Sequence, residues 1–216
     1  MKKLILLICG LFLLNSCTTS SSVISTPTPA SSPSSVSSIT PSVTSITEPS
    51  IVLPIAEYAK RRTVKYYGKY VQDRFTGYHV GDDIEYTDID GPVAVHAITD
   101  GTIEMVSFVS GYGGFIRIKH TINNQTIHSI YGHIALNSAQ VKIGDKVKAN
   151  QFLANLGKGN SSETDGERKH LHFALYSGND NRVKGYASTQ EELKKWLNPQ
   201  DFFSEHGIKL PTPPTG

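Results

Sequence analysis

Thiols are almost missing from this 216-residue chain: it has two cysteines, Cys9 and Cys17, and none beyond them. A fold built from the remainder cannot be stapled by disulfides, so its stability has to come from an apolar core. Excess charge is missing too. The formal net charge is +2, and Lys2 and Lys3 supply all of it, because without them Lys+Arg falls from 21 to 19 and equals Asp+Glu. That balance excludes a nucleic-acid binder, which needs a basic face. The apolar run Leu4 to Leu14 is too short to cross a bilayer as a mature helix. Aromatic residues are absent from 18–50, where Ser, Thr and Pro dominate and Glu48 is the only charge. Such a segment cannot bury enough apolar surface to offset its ordering entropy. It is expected to be a solvated, partly polyproline-II tether and a candidate for O-glycosylation, reaching about 100 Å at ~3.1 Å per residue when extended.

The N-terminus combines Lys2-Lys3, the apolar run and small residues, the pattern of a secretion signal over 1–16. Its end, Leu14-Asn15-Ser16-Cys17, resembles the lipobox of bacterial lipoproteins, which implies cleavage before Cys17 and acylation of its thiol. The expected organisation is a lipoprotein signal (1–16), a disordered linker with lipidated Cys17 (17–52), a folded domain (55–208) and a loose Pro-rich tail (209–216). The expected location is the membrane-anchored envelope of a bacterium, on the periplasmic or extracellular face.

With 38 % hydrophobic and 19 % charged residues the chain can build one ordinary domain plus extensions. Tyr58 to Tyr70 is basic and aromatic and reads as a solvated leading segment, with a substrate-facing lip as the alternative. Short strand-like runs follow at roughly ten-residue spacing, punctuated by Gly, Asp and Asn. Val93–Ile98 and Thr102–Val109 read as a hairpin through Asp100-Gly101. Phe115–His120 alternates with period two, and Asn123-Asn124 turns the chain into Thr126–Ile134. Val141–Val147 reads as a short hairpin, and Gln151–Leu156 and Leu171–Tyr176 complete the strands. This pattern predicts an all-β, antiparallel domain. One C-terminal helix is expected, started by a Ser188/Glu191 capping box, carrying Leu193, Trp196 and Leu197, and ended by Asn198-Pro199. No long internal repeat is visible.

Three clusters carry chemistry. The first is Lys169-His170-Leu171-His172-Phe173-Ala174-Leu175-Tyr176. On a strand, residues i and i+2 share a face, so His170 and His172 present two imidazoles side by side, suited to a zinc ligand beside a catalytic base. The second is Tyr78-His79-Val80-Gly81-Asp82-Asp83-Ile84, in which Gly81 would let the backbone bend to bring an imidazole and a carboxylate together. The third is Ile130-Tyr131-Gly132-His133. A catalytic zinc takes three protein ligands and keeps one position open, and two histidines with one carboxylate make such a set.

H-x-G-x-D, then Y-x-H, then H-x-H resembles the lysostaphin/LytM family of zinc endopeptidases, the M23 peptidases. Matching features lie between these motifs in order: Ala97–Ile103, Gly113–His120 and Val141–Val147. The resemblance covers about residues 70–178. It implies an antiparallel sheet flooring a groove, of the duplicated-hybrid-motif type. It also implies one Zn²⁺ held by His79, Asp83 and His172, and His133 and His170 as the catalytic histidines. The implied activity is hydrolysis of peptide bonds in peptidoglycan stem peptides or cross-bridges by a monomeric catalytic domain. The alternatives are a non-catalytic scaffold or activator of other wall hydrolases, and a zinc peptidase acting on proteins.

Asp82 and Asp83 are adjacent and either could be the ligand; spacing from His79 favours Asp83, with Asp82 then exposed or behind the site. Lys169 stands where many members of the family have Pro, and the loop 158–169 is longer and more charged than theirs. Gly185-Tyr186 and the residues that follow also exceed the minimal domain. Both differences fall where the groove wall is expected. Tyr78 and Tyr112 are candidates to flank the groove, and Tyr131 either orients the site or packs. His96, His120, His128 and His206 read as structural or exposed, with His120 near the site only by analogy with the family.

Overall fold

The computed structural model describes residues 50–211. The expected signal, Cys17, the linker up to residue 49 and the last five residues of the tail lie outside the described residues. Fourteen strands are present in the described part: β1 (Thr63–Lys65), β2 (Tyr70–Gln72), β3 (Thr76–His79), β4 (Gly81–Glu85), β5 (Ala94–His96), β6 (Gly101–Val109), β7 (Gly113–Ile122), β8 (Gln125–Gly132), β9 (Ile134–Ala135), β10 (Lys146–Val147), β11 (Phe152–Leu156), β12 (His170–Tyr176), β13 (Tyr186–Ala187) and β14 (Trp196–Leu197). They pair antiparallel in three sheets. The large one runs β1-β4-β12-β8-β7-β6-β10, with β14 added to the end of β12; the small ones run β5-β11-β9 and β13-β3-β2.

The centre of the large sheet is buried on both faces, and every residue of β12 is buried. Alternation along β12 sends Leu171, Phe173 and Leu175 to one side, into a core shared with Val95 and Leu153 of the β5-β11-β9 sheet. Ala174 and Tyr176 go to the other side and pack with Phe115, Ile130 and Trp196. His170 and His172 lie on this second face, so the strand that fastens the core also carries the two imidazoles. The residues before β1 dock as well: Val52 N–H donates to Ile98 O (2.8 Å) and Ile55 bridges Val95.

Several expected turns differ from the structure. Asp100-Gly101 does not close a hairpin: β5 pairs with β11 and β6 pairs with β7, so the chain changes sheets at this dipeptide. Asp100 anchors the corner by accepting from Ala149 N (2.9 Å) and Lys148 Nζ (2.7 Å). Val141–Val147 is not a hairpin either. Only Lys146-Val147 is strand, and it pairs with Thr102 and Gly101 of β6. Asn123-Asn124 does turn β7 into β8, with both residues at positive φ (49° and 61°), as a two-residue primed turn requires.

The expected single helix is two. α1 (Gln190–Leu193) starts at Thr189, whose side chain accepts from Glu192 N, rather than at Ser188. It then gives way to β14, where Trp196 pairs with Tyr176 and Leu197 with Leu175. Sheet pairing and burial of Trp196 outweigh the local helical pattern. Asn198-Pro199 begins α2 (Pro199–Glu205) instead of ending a helix: Asn198 caps it by accepting from Gln200 N, and Pro sits in the first turn, where its missing N–H costs nothing.

Candidate metal centre

Three strands converge on one point. His79 is the last residue of β3, Asp83 lies in β4, and His172 lies in β12 directly opposite both Asp83 and Gly132. His79 Nε2 is 3.1 Å from His172 Nδ1 and 3.2 Å from Asp83 Oδ1, and His172 Nδ1 is 2.9 Å from the same oxygen. All three residues are buried. Two imidazole nitrogens and a carboxylate oxygen are thereby held together in a space that a cation fits, since donors about 2.1 Å from a tetrahedral ion lie roughly 3.4 Å apart. The ring of His79 has no other partner for its Nδ1, and Tyr112 Oη lies 3.5 Å from His172 Nε2.

Gly81 serves this convergence in a way the sequence reading missed. It lets β4 lie close against β12: a Cβ there would come within 2.2 Å of Phe173 O. The choice between the two aspartates is also visible. Asp82 is buried on the opposite face, neither exposed nor behind the site. It accepts from Tyr58 Oη (3.0 Å), Tyr67 N (3.1 Å) and Gln200 Nε2 (3.4 Å), which fastens the leading segment and α2.

His133 and His170 stand beside the cluster with ring centroids 4.1 Å apart. His133 adopts φ +62°, unusual for a non-glycine residue, and is held there from both sides: its N–H donates to Tyr112 O (3.0 Å) and its carbonyl accepts from Gly157 N (2.7 Å). The tautomers follow from backbone carbonyls, which can only accept. His133 Nδ1–H donates to Thr164 O (3.2 Å) and His170 Nδ1–H donates to Arg168 O (2.8 Å). In the neutral rings each Nε2 therefore carries a lone pair. His170 Nε2 lies 3.5 Å from Asp83 Oδ2.

Burial pushes the His170 imidazole down to about 4, and burial together with the neighbouring His170 holds that of His133 well below its ordinary value. Burial also lowers His172. For Asp83, burial acts to raise the carboxyl, but the charges of His79 and His170 and hydrogen bonds from His172 and His79 prevail and hold it well below the usual carboxylate range. The site thus combines an ionised acid, Asp83, with imidazoles of His133, His170 and His172 that burial holds toward the neutral form, and metal binding needs a deprotonated carboxylate and a neutral imidazole.

The cluster lies in a cavity of about 370 Å³ whose walls include Lys65, Phe75, Tyr112, Glu167, Val183, Lys184, Gly185 and Tyr186. Gly185 and Tyr186 lie at the groove wall, as expected, and of the 158–169 loop Glu167 does. Tyr112 lines the cavity; Tyr78 does not, and its ring packs edge-on against Tyr70. Lys65 favours the lip over the solvated leader for Tyr58–Tyr70. Its Nζ donates to Tyr186 Oη (3.1 Å) and Asp73 (2.8 Å) at the cavity wall, while Tyr58 is buried in the core. Tyr186 packs on His79 (5.3 Å) and stacks on Phe75 (5.6 Å). Arg74 and Gly111 N both bond Asp165, joining three loops around the rim. The remaining histidines lie elsewhere: His120 bonds Asp100 O and Ser129, and His128 pairs with Glu104. Tyr131 packs in the core, its hydroxyl accepting from Ile98 N.

No curated protein matches the chain. Among solved structures it is similar to a chain of the SpoIIQ–SpoIIIAH pore-forming complex, with a TM-score of 0.50 and 21 % identity over 72 % of this chain and 92 % of that one. It is also similar to LytU, with a TM-score of 0.49 and 24 % identity over 67 % of this chain and 86 % of that one. For lysostaphin in solution the TM-score is 0.49 and the identity 25 %, over 74 % of this chain and 59 % of that one. The first of these likenesses is one of fold. The profile of peptidase family M23 matches residues 77–184, which is half of the chain and contains His79, Asp83, His133, His170 and His172. This chain belongs to peptidase family M23.

Proposed function

We propose that the chain is a zinc-dependent endopeptidase that hydrolyses peptide bonds in peptidoglycan stem peptides or cross-bridges, with one Zn²⁺ held by His79, Asp83 and His172. The observation that carries this reading is the approach of two imidazole nitrogens and one carboxylate oxygen to within 3.2 Å of one another in a buried pocket, beside two further neutral histidines. Zinc bound there would polarise the scissile carbonyl and activate water at neutral pH.

The chain's own groups supply the rest. His133 and His170 present Nε2 lone pairs that can take a proton from water and return it to the leaving amine. A proton on His170 Nε2 points at Asp83 Oδ2, so the carboxylate stabilises the imidazolium as it forms. Backbone carbonyls hold both rings by Nδ1, so neither has to reorient to exchange a proton. Phe75 and Tyr186 offer a stacked apolar wall against which an extended peptide can lie. In this reading Cys17 is lipidated and residues 17–52 tether the domain to the membrane, so that it reaches the wall around its anchor.

Digestion of defined muropeptides by the purified chain, read by mass spectrometry, tests the function. The expected result is zinc-dependent cleavage within stem peptides or cross-bridges. Cleavage of proteins but not of muropeptides would favour a protein-directed peptidase, and no cleavage of either by the zinc-loaded chain would favour a scaffold.

A further inference from the structure

We propose that Arg168 is a positioning residue for the metal centre, holding Asp83 Oδ2 so that Oδ1 faces His79 and His172. The inference rests on the reading of those three residues as metal ligands. Asp83 and Glu85 are two apart in β4 and share a face, and Arg168 stands just before β12, where His170 and His172 oppose them. The guanidinium addresses both carboxylates. Its Nε donates to Glu85 Oε2 (2.6 Å), and its Nη2 lies 3.6 Å from Asp83 Oδ2. Nη2 is buried and makes no hydrogen bond among the described residues, a costly state for a charged donor, and Asp83 is the anion it faces.

Geometry and charge agree on what this does. A planar fork can hold two carboxylates in fixed directions at once, which a lysine ammonium cannot. A lone cation beside a ligand carboxylate would oppose a metal, but Glu85 and Glu167, the latter 3.8 Å from Nη1, surround the guanidinium with negative charge. What remains is orientation: Oδ2 faces the Arg168 guanidinium at 3.6 Å, with His170 Nε2 at 3.5 Å, and Oδ1 is the oxygen 2.9 Å from His172 and 3.2 Å from His79. The same residue's carbonyl accepts from His170 Nδ1, so one stretch of chain aligns both the acid and an imidazole. The next residue shows the contrast. Lys169 turns the other way and donates to Ile89 O and Gly91 O, far from the cluster.

The test is zinc affinity of the full chain, measured by competition with a chromophoric chelator. Partners behind metal ligands typically govern affinity by about 10- to 100-fold, so Arg168→Ala is expected to bind zinc weaker by that factor. Lys169→Ala is expected to match wild type. With Asp83 released to bind through both oxygens, cobalt-loaded Arg168→Ala should show the weaker visible absorption of a higher coordination number. Arg168→Lys, which keeps the charge and the fold but not the fork, should recover only part of the affinity. Wild-type affinity and an unchanged cobalt spectrum in Arg168→Ala would overturn this inference alone, as would full recovery in Arg168→Lys should the alanine variant fail to fold. A wild-type chain that takes up no zinc would overturn the metal reading and this inference with it.

Discussion

At the scale of single residues, the proposed function assigns some groups to the metal position and others to the reacting peptide. His172 sits with His79 and Asp83; His133 sits 4.1 Å from His170 and makes no contact with the three-donor cluster as short as those within it. Replacing His172 with Ala should abolish both zinc retention and hydrolysis. Replacing His133 with Ala should leave zinc stoichiometry intact and lower kcat by about 10²- to 10⁴-fold, the usual worth of a positioned acid–base group. Equal metal loss in the two variants, read by elemental analysis, would reverse the roles. A second histidine makes a pH prediction away from the site. His120 is buried, donates from Nδ1 to Asp100 O and meets Ser129 Oγ through Nε2, and burial pushes it down to about 4. Unfolded, it titrates near 6.5, so between those values the unfolded chain holds more protons and stability is lost as the pH is lowered. The loss reaches on the order of 3 kcal/mol by about pH 4. Urea midpoints of His120→Gln should therefore fall less steeply than wild type between pH 7 and 4.5, and parallel slopes would contradict the assignment. The H-x-H pair was legible in the sequence because strand alternation alone puts both imidazoles on one face. The contacts of Lys65 and Arg168 were not, because each reaches the site from a strand or loop whose pairing no local pattern encodes, and Tyr186 was legible only as part of an extension at the groove wall.

Secondary elements place the donors by register more than by loop shape. β12 lies between β4 and β8, and that pairing sets His172 opposite Asp83 on one side and Gly132 on the other. The close approach of β4 depends on Gly81, so Gly81→Ala should force the strands apart. The expected cost is about 1–3 kcal/mol, the range for overpacking a tight core, together with weakened zinc binding as Asp83 moves from His172. Thermal melts with and without zinc would show both, and a variant as stable and as metal-competent as wild type would contradict this role. The strands themselves were readable from alternation and turn residues, and so was the Asn123-Asn124 turn. What failed was partner choice. Asp100-Gly101 looks like a hairpin because the turn chemistry is right, yet long-range pairing of β5 with β11 takes the strand away. Trp196 and Leu197 carry helical spacing, yet burial of Trp196 beside Tyr176 draws them into the sheet.

Over the whole molecule, the division of composition between a Ser/Thr/Pro-rich segment and a thiol-free, charge-balanced domain marks the organisation that the proposed function uses. If Cys17 carries the lipid, Cys17→Ser should move the protein from the membrane to the soluble fraction on fractionation while the released domain keeps its zinc. Persistent membrane retention of that variant would disprove the anchor. The domain's class and its three motifs were legible because their residues recur in order along the chain; the walls of the cavity were not, since they assemble from segments as distant as Lys65 and Tyr186. The account depends on a single spatial claim, that one ion is shared by His79, Asp83 and His172. Anomalous diffraction at the zinc edge from crystals of the zinc-loaded chain tests it most directly. The account predicts one strong peak about 2.1 Å from His79 Nε2, Asp83 Oδ1 and His172 Nδ1; a peak held by other residues, or none, would contradict it.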